Sequence, residues 1–519
     1  MLPTRHGALP LLVALLAAGP LCAVASSQID YEVSFDTTNK LWTVEGRIAN
    51  PSRAELDYWF PRWTAGAYHQ ADFGRWVEEL QARDGQGKEL AFERVADGHF
   101  LIAAQGVDPV VVRYTARSMS KNTMPTSQLD QFVIDVEANR ITSDYAFLNP
   151  ASLFGFVPET IEAPISLEVA LPAGWKSATV LARDERGVYH APSYYRFEDS
   201  PFLFSPTQIT FELEAGEKPL SVTVYGSDET TVKEIAAGCK RIVESAAKLM
   251  RGLPYERYHF LIGFVPEGPE GMGGSGLEHS DSTLILASPG MPPDVQQGIL
   301  GHEFFHLWCA ERIHVEAVHR PDYTQPLRTG TIWVNEGITE YFTQHVLLHA
   351  DFLDRKGFLE HFLEGNPMEA VFGSSDGHQP SLTQVSRDWE KIDGMEDLMN
   401  FVVRMYASGP KTMLALDLSM RRASGGEKGV LDLLRYLMSE YAEKDRGFGE
   451  DEMPAILSKV AGADMSDFYE RYIAGGETPD LGSLLDVIGY RIEGGRVVEV
   501  EHPTAAQMDA REDFFSIEG

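Results

Sequence analysis

The sequence predicts an α+β protein of several domains, in which an all-β domain of sandwich type precedes a mainly helical domain that contains a small sheet. The length of 519 residues, with 44% hydrophobic and 23% charged residues, is typical of folded globular domains. Hydrophobic residues alternate with polar ones before Gly226 and recur at the helical period after it. We therefore expect a β-domain over residues 26–226, a helical domain over 227–479 and a short extension over 480–519.

The first residues have the pattern of a targeting segment. Arg5 and His6 precede an apolar run over residues 9–21, and Ala23 and Ala25 supply the small side chains of a cleavage site. The run is shorter than the roughly 20 residues that span a bilayer. We expect a signal peptide over residues 1–25, a periplasmic or secreted mature protein, and no integral membrane segment in the mature chain.

Charge and cysteine content narrow the possible partners. The formal net charge of −33 repels a phosphate backbone, so we expect no nucleic-acid partner. Of three cysteines, Cys22 lies in the predicted signal peptide, and Cys239 and Cys309 are either two buried thiols or one disulfide. The sequence does not define an oligomeric state.

Hydrophobic periodicity predicts the individual elements in chain order. Period-two segments at 29–35, 165–171, 209–213 and 222–224 predict strands of the β-domain. The helical domain begins with a helix from Val232 to Leu249, which Gly252 and Pro254 end. The further predicted elements are strands at 259–265 and 282–287 and helices at 294–310, 333–350, 411–422, 429–441 and 465–474. The sequence of the extension over 480–519 predicts one more helix and a hairpin at Gly494-Gly495.

The predicted helix over 294–310 contains the motif H-E-x-x-H at His302, Glu303 and His306. Residues four apart share a helix face, so both imidazoles can bind one ion, and Glu303 can face a water on that ion. Glu336, in the next predicted helix, can complete a His₂Glu ligand set. Three protein ligands leave one coordination position open, which is the arrangement of catalytic zinc and predicts one Zn²⁺ ion. The alternative is a pair of core histidines, but chance gives this motif in only roughly a few per cent of such chains.

Several segments resemble the glycyl aminopeptidase family of zinc peptidases. In the helical domain they are residues 302–308, 333–342 and the glycine-rich residues 273–279, and in the β-domain residues 60–68, 72–73 and 144–150. The family belongs to the gluzincins, so the resemblance implies a thermolysin-like catalytic domain. Its members commonly carry a C-terminal PDZ domain, and we expect no complete PDZ domain in residues 480–519.

The resemblance also implies roles for single residues. The three zinc ligands and the general base that it implies are the same four residues that the spacing selects. It also implies that Tyr406 stabilises the oxyanion. Glu278, with Gly276 before it, is implied to bind the free α-amino group of the substrate, because a fixed anion near the metal would hold an ammonium group over the zinc. A solvated glutamate is the alternative for Glu278. Glu340 either bonds to a ligand histidine or is an exposed helical residue.

The sequence thus predicts an exported zinc metallopeptidase with peptide substrates. The resemblance implies an aminopeptidase that favours small N-terminal residues such as Gly or Ala. Three alternatives stay open: a zinc endopeptidase, a catalytically inactive peptidase-like protein that binds peptides, and a zinc epoxide or ester hydrolase.

Overall fold

A computed structural model describes residues 29–49, 53–68, 70–119, 136–266, 274–363, 379–391 and 395–516. The predicted signal peptide and Gly273 of the glycine-rich segment lie outside these ranges. No helix within them combines the length and the apolar character that a membrane span requires.

The N-terminal half consists mainly of strands, as predicted. In chain order they are β1 (Ile29–Asp36), β2 (Leu41–Ile48), β3 (Glu55–Trp59), β4 (Val77–Asp84), β5 (Phe92–Ala96), β6 (His99–Ala103), β7 (Val110–Arg117), β8 (Asn139–Ile141), β9 (Ala146–Leu148), β10 (Ile165–Ala170), β11 (Lys176–Ala178), β12 (Ala182–Arg183), β13 (Tyr189–Ala191) and β14 (Phe202–Ser205). They form a seven-stranded sheet (β12-β13-β10-β1-β2-β7-β4), a four-stranded sheet (β11-β14-β9-β8) and a three-stranded sheet (β3-β6-β5). The side chains of β1 alternate between the core, where Tyr31 and Val33 lie, and the outside, which is what period two predicts.

A five-stranded sheet connects this half to the helical half. Its strands are β15 (Ile209–Ala215), β16 (Lys218–Tyr225), β17 (Tyr258–Phe264), β18 (Gly274–His279) and β19 (Ser282–Ala287), in the order β15-β16-β17-β19-β18. Strands β16 and β17 pair in parallel, with Leu220 opposite Tyr258. The domain boundary that we placed at residue 226 therefore runs through one sheet. The change of period marks where helices begin, and it carries no information on which strands pair.

Most helices lie after β16 in the chain, and one short helix lies among the strands of the N-terminal half. They are α1 (Tyr194–Glu198), α2 (Glu229–Leu249), α3 (Pro293–Phe305), α4 (Glu316–His319), α5 (Ile332–His349), α6 (Arg355–Leu363), α7 (Leu382–Asp388), α8 (Met395–Val403), α9 (Gly409–Ser424), α10 (Val430–Glu440), α11 (Met453–Ala461), α12 (Ser466–Phe468), α13 (Leu481–Leu484) and α14 (Ala505–Phe514). Short 3₁₀ turns lie at Phe73–Trp76, Pro150–Ser152, Pro158–Thr160, Trp389–Lys391, Ala442–Lys444, Glu450–Glu452 and Leu485–Ile488. The predicted hairpin is β20 (Tyr490–Glu493) with β21 (Arg496–Glu499).

Two of the predicted helices differ from the observed ones at their ends. Helix α3 ends at Phe305, so that His306 is its C-cap residue. The segment 465–474 is the three-residue α12 followed by a π-helical turn, Tyr469–Ile473. A second π-helical turn, Arg404–Ser408, precedes α9. Such turns need one extra residue in the hydrogen-bonded loop, which apolar spacing does not reveal.

The core of the helical half places α3 beside α5. The C-terminal part of α3 and nearly all of α5 are buried. The rings of Phe305 and Phe342 stack with centroids 5.2 Å apart. Cys239 and Cys309 are both buried free thiols, which confirms that alternative over a disulfide. Burial raises the pKa of both thiols.

Candidate active site

The two histidines of the motif meet the glutamate of the next long helix. His302 lies on the last turn of α3 and His306 is its C-cap residue, and their Nε2 atoms are 3.0 Å apart. Glu336 Oε2, from α5, lies 3.4 Å from His302 Nε2 and 3.6 Å from His306 Nε2. A tetrahedral zinc ion with ligands at 2.0–2.1 Å separates them by about 3.3 Å, so this triangle fits zinc. Glu336 Oε2 is buried and accepts no hydrogen bond within the described ranges, which leaves it available to an ion.

Hydrogen bonds on the outer side of each imidazole fix how the rings point. His302 Nδ1 lies 3.0 Å from Glu340 Oε2, and His306 Nδ1 lies 2.9 Å from the carbonyl oxygen of Cys309. With Nδ1 bonded to an acceptor, each ring presents Nε2 towards Glu336. Burial would raise the pKa of Glu340, but the hydrogen bond with His302 and the nearby ring of His361, whose Nε2 atom lies 3.3 Å from Oε1, lower it to about 2. Glu340 is therefore a charged partner of the metal-facing ring and not an exposed helical residue.

Glu303 lies over the glycine-rich strand β18. A side chain at Gly276 is excluded there, because a Cβ atom would lie 2.4 Å from the Cγ, Cδ and Oε1 atoms of Glu303. Burial raises the pKa of Glu303 well above its usual value; the charge of His302 opposes this, and the charge of Glu278 adds to it. A buried carboxyl with a raised pKa is suited to accept a proton and to release it again.

The structure brings Glu278 to the same place. Its Oε1 atom lies 3.9 Å from His306 Nδ1, and its side chain is buried. One carboxylate oxygen of Glu278, one of Glu303 and one ring nitrogen of His306 lie within 4.8 Å of one another. A solvated position for this glutamate, the alternative left open by the sequence, is therefore wrong.

Tyr406 reaches the site from the π-helical turn Arg404–Ser408. Its ring lies 5.6 Å from the ring of His302, centroid to centroid, and its hydroxyl is close enough to the Glu336 carboxylate for that charge to act on its pKa. The close approach of α5 and α9 makes this possible, since a Cβ atom on Gly337 would lie 3.4 Å from the Cα atom of Gly409. Burial raises the pKa of Tyr406 well above its usual value, and the charge of Glu336 adds to this. The hydroxyl therefore stays protonated.

Sequence reasoning missed Tyr68 as a site residue. Tyr68 belongs to the N-terminal half, yet its hydroxyl lies 3.3 Å from Glu278 Oε1 and accepts a hydrogen bond of 2.9 Å from Asn335 Nδ2. Its φ of 60° lies in the left-handed region, where a tyrosine is uncommon. The only signal in the sequence was that residues 60–68 resemble a segment of a peptidase family, which gives the segment no chemical role.

Fold and site together define a metallopeptidase. The residues 30–206 match the family model for the Peptidase M61 N-terminal domain, and residues 296–411 match the model for M61 glycyl aminopeptidase. These two models describe one family and together match more than half of the chain. The chain therefore belongs to the M61 glycyl aminopeptidase family and is a peptidase.

Solved structures have the same fold at low sequence identity. An aminopeptidase N family protein from Idiomarina loihiensis is similar over 90% of this chain and 79% of its own, with a TM-score of 0.76 and 23% identity. An M1 zinc metallopeptidase from Deinococcus radiodurans is similar over 88% of this chain and 95% of its own (TM-score 0.54, 13% identity). Yeast LTA4 hydrolase in complex with bestatin is similar over 87% of this chain and 68% of its own (TM-score 0.51, 14% identity). No curated protein matches the chain.

Proposed function

We propose that this protein is an exported zinc aminopeptidase that releases small N-terminal residues such as Gly or Ala from peptides. The observation that carries the proposal is the position of one buried carboxylate, that of Glu278, beside both Glu303 and His306. An anion fixed there can hold the free α-amino group of a peptide while the first peptide bond lies at the metal. The family description as glycyl aminopeptidase supports the preference for a small first residue.

One zinc ion is the proposed cofactor, held by His302, His306 and Glu336. The support is the triangle of 3.0, 3.4 and 3.6 Å among their side-chain atoms, which includes a Glu336 oxygen that accepts no hydrogen bond from the described residues. When bound, zinc supplies a Lewis acid for the scissile carbonyl and lowers the pKa of a water to about 7.

The proposed chemistry of the chain itself uses two side chains. Glu303 takes a proton from the attacking water and delivers it to the nitrogen of the leaving amine. Tyr406 donates a hydrogen bond from its hydroxyl to the oxyanion that develops on the substrate carbonyl, an interaction typically worth about 3 kcal/mol. The raised pKa values of Glu303 and Tyr406 suit both roles, because one group must be able to hold a proton and the other must keep its own.

Export is proposed from the N-terminal sequence pattern. Arg5, the apolar residues 9–21 and the small residues Ala23 and Ala25 support cleavage after Ala25. The intact mass of the protein recovered from the producing cells tests this, and a mass that retains residues 1–25 contradicts it. The mature chain would then comprise the β-domain, the catalytic domain and the extension over 480–519.

The central experiment separates an aminopeptidase from its alternatives. Peptides that begin with Gly, Ala or Leu are offered with free and with acetylated N-termini, with and without a chelator, and the products are identified by mass spectrometry. We expect single residues to be released from free Gly and Ala peptides only, and only without chelator. Cleavage of acetylated peptides would indicate an endopeptidase, and binding without cleavage would indicate an inactive peptide-binding protein.

The Glu303→Gln variant tests the assignment of the general base. It keeps the size of the side chain and removes its basicity, so we expect zinc content as in the wild type and hydrolysis reduced by about 10²–10⁴-fold. Zinc is measured by elemental analysis of the purified protein. A variant that binds zinc and retains full activity would remove Glu303 from the proposed mechanism.

A further inference from the structure

A turn of the N-terminal half contacts the carboxylate of Glu278. A Cβ atom on Gly66 would lie 2.8 Å from Glu278 Oε2 and 2.7 Å from Leu277 Cδ1, and Tyr68 is bonded to the other oxygen, Oε1. Tyr68 and Glu278 are 210 residues apart in the chain. The carboxylate is thus confined by a segment that lies outside the helical half.

We propose that Tyr68 is a positioning residue, which orients the Glu278 carboxylate for the substrate's α-amino group. The inference rests on the proposed function, in which Glu278 binds that group. If Tyr68 has this role, the N-terminal half is part of the amine-binding site, and the turn at Gly66–Tyr68 serves to orient Glu278.

The direction of the hydrogen bonds supports this role. The Nδ2 group of Asn335 can only donate, so the Tyr68 oxygen accepts from it at 2.9 Å. The hydroxyl proton is then free to point at Glu278 Oε1, 3.3 Å away. Asn335 directly precedes Glu336 on α5, so the same helix that supplies a zinc ligand also fixes the hydroxyl that holds the amine-binding carboxylate.

The turn is held in a costly conformation by several contacts. Tyr68 has a φ of 60° and Gly66 a φ of 85°, and a non-glycine residue in this region costs about 1–3 kcal/mol, which persists only when the surroundings impose it. An indole group supplies one of the restraints, because Trp389 Nε1 donates to the carbonyl oxygen of Ala67 at 2.8 Å. Backbone strain that is stabilised in this way, next to the Glu278 carboxylate, indicates a functional constraint on the turn.

A double-mutant cycle with Tyr68→Phe and Glu278→Gln tests the inference. We expect Tyr68→Phe to keep its zinc and to lower kcat/KM for a free Gly or Ala peptide by about 10- to 100-fold, mainly through KM, because one hydrogen bond to a charged group is lost. In the Glu278→Gln background the same change should alter kcat/KM by less than about threefold, since Tyr68 acts through that carboxylate.

Two control variants separate positioning from folding. Tyr255→Phe removes another buried hydroxyl, one without a hydrogen-bond partner in the described ranges, and should leave kcat/KM unchanged. Gly66→Ala should reproduce the loss, because the new methyl group meets the Glu278 carboxylate, whereas Gly174→Ala places a methyl group at a similar φ of 82° with open space around it. If Tyr68→Phe does not fold, the comparison of the two glycine variants decides the question.

The outcomes distinguish this inference from the proposed function. A wild-type enzyme that treats free and acetylated peptides alike overturns the proposed function, and the inference with it. A wild-type enzyme that requires the free amine, together with normal kinetics of Tyr68→Phe or an equal loss in both backgrounds of the cycle, overturns the inference alone.

Discussion

Glu340 is the residue behind the metal-facing imidazole of His302. It lies one turn beyond Glu336 on α5. Its carboxylate bonds to His302 Nδ1 and to Gln344, and its Oε1 atom lies 3.3 Å from His361 Nε2. The lowered pKa of about 2 keeps Glu340 ionised at neutral pH. A charged acceptor at Nδ1 fixes the tautomer of the ring and makes Nε2 a better ligand.

We expect Glu340→Ala to weaken zinc binding by about 10- to 100-fold while the fold is retained. Competition with a zinc chelator measures the affinity directly, without reference to hydrolysis. The matched control is Glu244→Ala on α2, whose carboxylate is partly exposed and pairs with Lys240. An equal zinc affinity of both variants would mean that Glu340 does not support the metal site.

At the scale of elements, the site depends on how closely β18 approaches α3. The strand lies at the edge of the five-stranded sheet, and Gly276 is the point at which Glu303 crosses it. Only a residue without a Cβ atom fits under that carboxylate. The glycine at position 276 is therefore a packing requirement of Glu303, the proposed general base.

We expect Gly276→Ala to abolish most of the activity while zinc content stays normal, because the methyl group displaces Glu303 and not the ligands. Activity and zinc content are measured on the same preparation. Gly298→Ala on α3 is the control: nothing lies within 4 Å of its new methyl group, and it should stabilise the helix by up to about 1 kcal/mol. Normal activity of Gly276→Ala would show that β18 can move away from Glu303.

The elements that could be predicted are those whose signals are local. The H-E-x-x-H spacing fixes which residues of α3 share a face, and the structure brings Glu336 to them, as the sequence predicted. The π-helical turn that carries Tyr406 was not predicted, because it departs from the regular helix without changing the apolar pattern. Tyr406 entered only through a family resemblance, and its approach to Glu336 accompanies the close packing of α5 and α9 at Gly337 and Gly409, which no local pattern reveals.

At the scale of the whole molecule, buried acidic groups join the two halves. Glu198 on α1 accepts hydrogen bonds from Thr64 and from Tyr323, and the adjacent Asp199 bonds to His279 at the end of β18. Burial raises the pKa of Glu198 to about 8, and the charge of Asp199 adds to this. None of these pairings has a local sequence signal, because each joins residues far apart in the chain.

Glu198 makes the stability of the protein depend on pH. Its pKa is about 8 when folded and about 4.5 when unfolded, so between these values the folded state binds a proton that the unfolded state lacks. The stabilisation is complete below about pH 4.5 and is lost as the pH rises to about 8, at about 1.4 kcal/mol per unit of pKa difference.

We expect Glu198→Gln, which resembles the protonated carboxyl, to flatten this fall in stability by a few kcal/mol. The free energy of unfolding is measured with denaturant at several pH values between 4.5 and 8. Glu214→Gln, an exposed position on β15, is the control and should keep the slope of the wild type. Parallel curves for Glu198→Gln and the wild type would show that Glu198 titrates alike in both states.

The shared five-stranded sheet has a practical consequence for shortened versions of the enzyme. A fragment that starts at residue 227 retains all the proposed zinc ligands. In this fragment, however, β17 loses β16, and a strand of buried residues becomes an open hydrogen-bonding edge. Such edges recruit strands from neighbouring copies and lead to aggregation. A minimal recombinant peptidase should therefore start upstream of Ile209, so that β16 is retained. The turn at Gly66–Tyr68 argues for keeping the whole N-terminal half.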